Sequence, residues 1–307
     1  MSGKKIKKAV IPAAGLGTRF FPATKTIPKE MLPLVDKPII LYVIEEALQA
    51  GIEDIILVQG RGKTAIEDFF DVSYELEDKF RKEGKTKLLD DLNHIRKSAN
   101  IISIRQKAAL GLGHAVHCAK PVVGDEPFAV LLGDEITISN DPTQNVTRFL
   151  GDQFIKSNRS GVWVMPVGDD QIHKYGVVNL GFQFPANSHT DQMQNLKTGV
   201  AVEGVVEKPT RDIAPSRWAI PGRYVFDAKI FSILQETQPG KNGEIQLSDA
   251  MNGLAHSQNG LNAYSFEARR FDAGDKLGFI IANIELALER EDLGPELRSY
   301  LDKKFKK

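Results

Sequence analysis

Short runs of β-branched and other apolar residues alternate with longer stretches at helical spacing through the first half of the chain. The runs are Lys8 to Ile11, Asp54 to Val58, Asn100 to Ile104, Phe128 to Leu132 and Gly161 to Val167. Each is too continuous in Val, Ile and Leu for a strand with one wet face. The pattern therefore predicts an α/β chain of βαβ units, with a mostly parallel sheet covered by helices on both faces. Pro38 opens one such helix, which continues through Ile40, Val43, Ile44, Ala47 and Leu48 and stops at Gly51. Tyr74 to Lys97 is charged at helical spacing and predicts one or two exposed helices, a lid or a contact surface. After Gly168, shorter apolar pieces such as Val177-Val178 and Val202 to Val206 sit among Gly, Asn and Gln. They read as a second half built on the same sheet. A helix through Met251 and Leu254, then helices from about Lys276 onward, close the chain. With no internal repeat or low-complexity linker, the expected organisation is one compact unit over residues 1–307.

Composition narrows the function classes. The chain has 307 residues, 42% of them hydrophobic, enough for a sizeable core. Forty basic residues balance forty acidic ones, so no whole-molecule field favours nucleic acid or an anionic membrane. An anionic ligand has to be held by local groups. Cys118 is the single cysteine, which excludes an intrachain disulfide and fits a reducing compartment, with the cytoplasm as default. Lys4, Lys5, Lys7 and Lys8 resemble the charged end of a secretion signal. Pro12 and the glycines at 15 and 17 break the apolar stretch before it reaches the ~7–15 residues such a signal uses. Nothing approaches the ~18 apolar residues of a membrane helix.

The chemistry concentrates first in Ala13-Ala14-Gly15-Leu16-Gly17-Thr18-Arg19, followed by Pro28-Lys29-Glu30-Met31-Leu32-Pro33. Small residues let the backbone approach a triphosphate and point N–H groups at its oxygens, while Arg19 and Lys29 supply neutralising charge. A dinucleotide fingerprint is excluded because Phe20 stands where its third glycine is needed. Gly62-Lys63-Thr64 is not a P-loop tail, since Leu57 occupies the required first glycine, and it reads as a helix start. Leu131-Leu132-Gly133-Asp134-Glu135 lies at the end of the fourth strand, the edge where α/β sheets bind ligands. There Asp134 suits Mg²⁺, which takes one or two carboxylates plus phosphate oxygens. Asp272, in Phe271-Asp272-Ala273-Gly274, is a candidate second ligand. Glu207-Lys208-Pro209 puts an acceptor and a cation at a strand end for a sugar hydroxyl and a phosphate. Gln106, before Gly111-Leu112-Gly113-His114, offers an amide to a base edge. His114 and His117 lack the third ligand of a zinc site, and Cys118 reads as a packed thiol.

Together with Tyr175-Gly176-Val177-Val178, Gly222-Arg223-Tyr224 and Gly243-Glu244-Ile245-Gln246-Leu247-Ser248, these segments resemble the bacterial UTP–glucose-1-phosphate uridylyltransferases, within the sugar-phosphate nucleotidyltransferase family. The likeness runs from Lys8 to about Leu288. It implies a Rossmann-like, glycosyltransferase-A-like nucleotidyltransferase fold, with a nucleotide-binding half over about 1–140, a sugar-phosphate half over about 141–272 and C-terminal helices over about 273–307. It also implies UTP and glucose 1-phosphate as substrates, Mg²⁺ as cofactor and a homo-oligomer, dimer or tetramer. Carried over by position, Ala13, Ala14, Gly15 and Gly17 border the nucleotide, Gln106 and Gly111 read uracil, and Arg19 and Lys29 embrace the triphosphate. Asp134 holds Mg²⁺, joined by Asp272 if this branch uses a second Asp, and Gly176, Glu207 and Lys208 receive glucose 1-phosphate. The competing readings are a sibling transferase using another sugar 1-phosphate or dTTP, and a silent nucleotide-binding regulatory subunit. Arg19, Lys29, Asp134 and Lys208 occurring together argue against the silent subunit.

Overall fold

A computed structural model describes residues 5–181 and 189–305. Lys4 of the basic N-terminal run, and residues 182–188 of the Gly/Asn/Gln-rich stretch, lie outside the described residues. The architecture is mixed α/β, built on an eight-stranded sheet. Strand Lys8–Ala13 lies between Phe128–Leu131 and Asp54–Gln59, parallel to both, and Asn100–Arg105 continues the parallel set beyond Asp54–Gln59. Alternate side chains go to opposite faces and both faces are buried. Val10, Ile56, Val58 and Val130 pack toward helices Leu112–Cys118, Ile230–Glu236 and Leu247–Ala255. Ala9, Ile11, Ile55 and Leu57 pack toward helices Ile39–Gln49 and Val146–Ser157.

The predicted strands are present, with three corrections. Asn100–Arg105 is an edge strand, and its half-exposed residues show that its apolar run is not covered on both faces. The Gly161 to Val167 run splits in two. Ser160–Trp163 stays in the large sheet, while Met165–Pro166 turns into a separate four-stranded sheet. Val177-Val178 and Val205-Val206 also leave the large sheet, pairing with each other in that smaller antiparallel layer. Strand Arg223–Phe226 enters the large sheet antiparallel to both Phe128–Leu131 and Ser160–Trp163, so the second half of that sheet is mixed. The exposed segment Tyr74 to Lys97 does form helices, Tyr74–Lys82 and Asp90–Ser98.

Helix Ile39–Gln49 buries a stripe of Ile39, Ile40, Val43, Ile44 and Ala47, and with them one carboxylate, Glu46. Arg223, only 1% exposed, donates from Nη2 to Glu46 Oε2 at 2.7 Å and from Nε to both carboxylate oxygens. Thr147 and Thr137 donate their hydroxyls to the same two oxygens. Arg223 also donates to the carbonyl of Glu135 at 2.6 Å and, at 3.4 Å, to those of Leu132 and Gly222. This pair joins helix, sheet and the loop that carries Asp134. Glu46→Leu should lower unfolding stability by about 3–5 kcal/mol, because Arg223 is left buried without its counter-charge. Adding Arg223→Met should recover most of the loss in urea unfolding; an additive further loss would contradict the pairing.

Candidate active site

The C-terminal ends of the parallel strands open onto a cleft of two lobes. One, about 440 Å³, is lined by Ala14, Gly15, Lys29, Gln106 and Gly111 among others. The second, about 700 Å³, is lined by Arg19, Gly176, Glu207, Lys208 and Asp272 among others. Asp134, Leu112, Leu132 and Glu244 line both. Of the sequence-derived candidates, Ala13 and Gly17 line neither lobe. Ala13 is 1% exposed and packs in the core. Gly17 supplies the bend, with a φ of +66°, and its carbonyl accepts from Thr24 Oγ1 at 2.7 Å. Phe20, the residue that spoils a dinucleotide fingerprint, lies edge-on to Phe279. Arg19 reaches toward the larger lobe, where Nη1 donates to the carbonyl of Gly274 at 3.2 Å.

Lys29 begins a short turn after Pro28 and donates from Nζ to Asp134 Oδ2 at 2.5 Å. Both side chains are 21% exposed. Burial disfavours both charges, but each holds the other: Lys29 is raised above the ordinary lysine value and Asp134 is held below the usual carboxylate range. Asp272 comes alongside because strand Arg269–Asp272 pairs antiparallel with Glu135–Ile138, setting Asp272 opposite Glu135. Gly274 explains the spacing of the two carboxylates. A Cβ on it would lie 2.3 Å from Asp134 Oδ2 and 3.3 Å from Asp272 Oδ1. Glycine keeps this gap open between hard oxygen donors. Among the described residues no group of three His, Cys, Asp or Glu could hold a metal. A carboxylate pair suits Mg²⁺, which takes its remaining oxygens from water and phosphate.

In the smaller lobe, Gln106 is 7% exposed and spends Nε2 on the carbonyl of Gly111 at 3.1 Å and on His114 Nδ1 at 2.9 Å. Among the described residues its Oε1 has no hydrogen-bond partner. Gly111 has a φ of +97°, and a Cβ there would meet the Ile245 carbonyl at 2.8 Å. The Gly111-to-His114 segment is thus pressed against Gly243-to-Leu247, which accounts for both motifs at once. In the larger lobe Glu207 stands opposite Gly176 in the ladder, and Lys208 Nζ lies 3.2 Å from Glu207 Oε1. Lys208 adopts a left-handed φ of +45°.

Sequence reasoning missed three features. Glu30 is wholly buried behind Lys29 and paired with Lys63 at 2.8 Å. Glu135 receives Arg270 bidentately at 2.5 and 2.7 Å. Glu244 borders both lobes. The signals were slight: Lys63 stood out only as a helix start, and nothing local pairs residue 135 with residue 270.

Comparison with known proteins shows which family the chain resembles. A family model described as "Nucleotidyl transferase" matches residues 8–289. The UTP–glucose-1-phosphate uridylyltransferase of Bacillus subtilis is 48% identical over 299 residues, 97% of each chain. A UTP-bound UGPase from Acinetobacter baumannii superposes with a TM-score of 0.84 at 41% identity, covering 96% of this chain and 98% of that one. A UDP-glucose pyrophosphorylase complexed with UDP-glucose gives 0.81 at 40% identity, covering 93% and 100%.

The Glu30–Lys63 pair makes a pH-dependent prediction. Burial keeps Glu30 above the ordinary carboxylate value even though Lys63 and Lys29 pull it down. Lys63→Met removes the nearer cation, so the carboxyl rises further. The folded protein then keeps a proton that the unfolded chain sheds above about pH 4.5, and stability falls as pH rises through that window. In urea unfolding, the deficit against the unmodified protein should grow between about pH 5.5 and about pH 8.5, toward about 3–5 kcal/mol. An equal deficit at both pH values would contradict the pairing.

Proposed function

The chain belongs to the nucleotidyl transferase family, and on that premise we propose that it is an enzyme joining UTP to glucose 1-phosphate to give UDP-glucose and pyrophosphate. One observation carries the proposal: a lobe of about 440 Å³ and a lobe of about 700 Å³ meet at Asp134, room for two substrates side by side. The relatives named for UTP and UDP-glucose support the choice of substrates. The nucleotide-binding half, about 1–140, supplies Ala14, Gly15, Gln106, Gly111 and Lys29, with Ala13 and Gly17 shaping the loop from behind. The sugar-phosphate half, about 141–272, supplies Gly176, Glu207 and Lys208, and the helices beyond close the same unit.

A phosphate oxygen of glucose 1-phosphate attacks the α-phosphorus of UTP in line, the bond to the pyrophosphate oxygen breaks, and no covalent enzyme intermediate forms. Asp134 and Asp272 would hold Mg²⁺, which supplies charge neutralisation on the phosphate oxygens when bound. The chain's own task is to bring two polyanions together and keep them aligned. Lys29 offsets charge on the triphosphate and on the departing pyrophosphate, and Arg19 extends that positive edge across Gly274. Lys208 orients the attacking phosphate, and Glu207 accepts from sugar hydroxyls. A phosphate monoester, with its second pKa near about 6, is already mostly a dianion at neutral pH, so no general base is required. Among the described residues no helix is long and apolar enough to cross a membrane. A cytoplasmic homo-oligomer belongs to the same proposal, with the exposed Leu277, Ile280, Ile281 and Ile284 on helix Lys276–Glu289 offering an assembly face.

The deciding experiment is pyrophosphate release across a panel of nucleoside triphosphates and sugar 1-phosphates. UTP with glucose 1-phosphate should give the highest kcat/KM; a preference for another pair would move the chain to a sibling activity. Asp134→Ala should cut Mg²⁺-dependent turnover by about 10²–10³ with the fold intact by circular dichroism. Lys208→Ala should lower kcat/KM for glucose 1-phosphate by about ten- to a hundredfold while leaving UTP binding to the free enzyme unchanged. Gln106→Ala should narrow the discrimination between UTP and CTP, which in a site hydrogen-bonded to the base can reach ~10⁴. A UTP/CTP ratio untouched by that change would remove Gln106 from base reading.

A further inference from the structure

Lys208 is the cation assigned to the attacking phosphate, yet its backbone sits in a left-handed conformation that a residue with a Cβ adopts only under constraint. Its N–H donates to the carbonyl of Tyr175 at 3.0 Å. Tyr175 is itself held from below: its hydroxyl accepts from Arg270 Nη1 at 2.8 Å, and the guanidinium lies 5.0 Å from its ring centroid. The other arm of Arg270 grips both oxygens of Glu135, next in sequence to Asp134, and lies 3.6 Å from Asp272 Oδ2. One guanidinium, its side chain 13% exposed, therefore touches the wall that presents Lys208 and the strand pair that presents the two carboxylates. Nothing in the reaction scheme uses it.

We propose that Arg270 is the positioning residue that registers the sugar-phosphate wall against the Asp134–Asp272 pair, acting on Lys208 through Tyr175. The fork geometry is what matters, because a lysine at 270 keeps a positive charge but cannot bridge Glu135 and Tyr175 together. This deepens the transferase reading and rests on it for its kinetic consequences; its structural consequence is measurable without turnover.

The test compares the unmodified protein with Arg270→Lys and Tyr175→Phe by amide hydrogen exchange and steady-state kinetics. In Arg270→Lys the Lys208 amide should exchange about 10- to 100-fold faster, with the amides of strand Lys8–Ala13 unchanged. KM for glucose 1-phosphate and the Mg²⁺ concentration for half activation should both rise. Tyr175→Phe loses only a neutral acceptor, so Lys208 exchange and KM for glucose 1-phosphate should rise by about two- to tenfold, with UTP affinity of the free enzyme unaltered. Unchanged Lys208 exchange in either folded variant overturns the proposal, as does a fall in kcat with no change in KM for glucose 1-phosphate. If Arg270→Lys does not fold, Tyr175→Phe decides alone by the same criteria. Failure of the unmodified protein to make UDP-glucose would refute the transferase reading, while the exchange data would still judge the coupling.

Discussion

The cleft depends on a carboxylate and a guanidinium sealed inside the protein. Glu46 and Arg223 are 4% and 1% exposed, and burying either one without the other would be strongly destabilising. Their pairing is also directional. Arg223 spends its remaining donors on the carbonyls of Leu132, Gly222 and Glu135, which flank Asp134 on both sides and secure the strand end beside it. The loop that carries the central carboxylate is thus pinned by backbone contacts to a buried hub and does not rely on the Asp134 side chain to hold it. The Asp134 side chain instead faces the cleft, paired with Lys29.

Around that fixed point the charges alternate in sign. Lys63, Glu30, Lys29 and Asp134 run from the interior to the mouth of the cleft, each next to its opposite. In a region of low effective dielectric each neighbour offsets the burial of the next, and under the proposed reaction a lysine already oriented by Asp134 would meet an incoming polyphosphate with little reorganisation. On the other side of Asp134, Arg270 ties Glu135 to Tyr175, and Lys208 hangs from the Tyr175 carbonyl. The two lobes are therefore built on one electrostatic frame, which is the arrangement a reaction between two polyanions requires.

Much of this was legible in the sequence because the signals were local. The apolar runs marked Lys8–Ala13, Asp54–Gln59 and Phe128–Leu131, the glycine loop and Asp134 fell at strand ends, and Pro38 and Gly51 bounded their helix. The apolar run at Asn100 to Ile104 misled, because an edge strand with charged neighbours carries the same residues as a central one. The Gly161 to Val167 run misled because nothing in it marks where the chain leaves one sheet for another; only the hydrogen bond from Val164 to Tyr264 and the ladder at Met165 show it. The buried ion pairs were illegible for a different reason. Glu46 and Arg223 are 177 positions apart and Glu135 and Arg270 are 135 apart, and an isolated charge on an apolar helix face reads as an exposed one until its partner is known.

The central claim is a single direct displacement at the α-phosphorus of UTP in the gap between the lobes. It is tested most directly with UTP made chiral at that phosphorus by one sulfur in place of a non-bridging oxygen, converted with glucose 1-phosphate and examined for the configuration of the product. One in-line attack turns the phosphorus over, so the UDP-glucose analogue should carry inverted configuration. Retention would require two successive displacements through a covalently modified enzyme and would contradict the account.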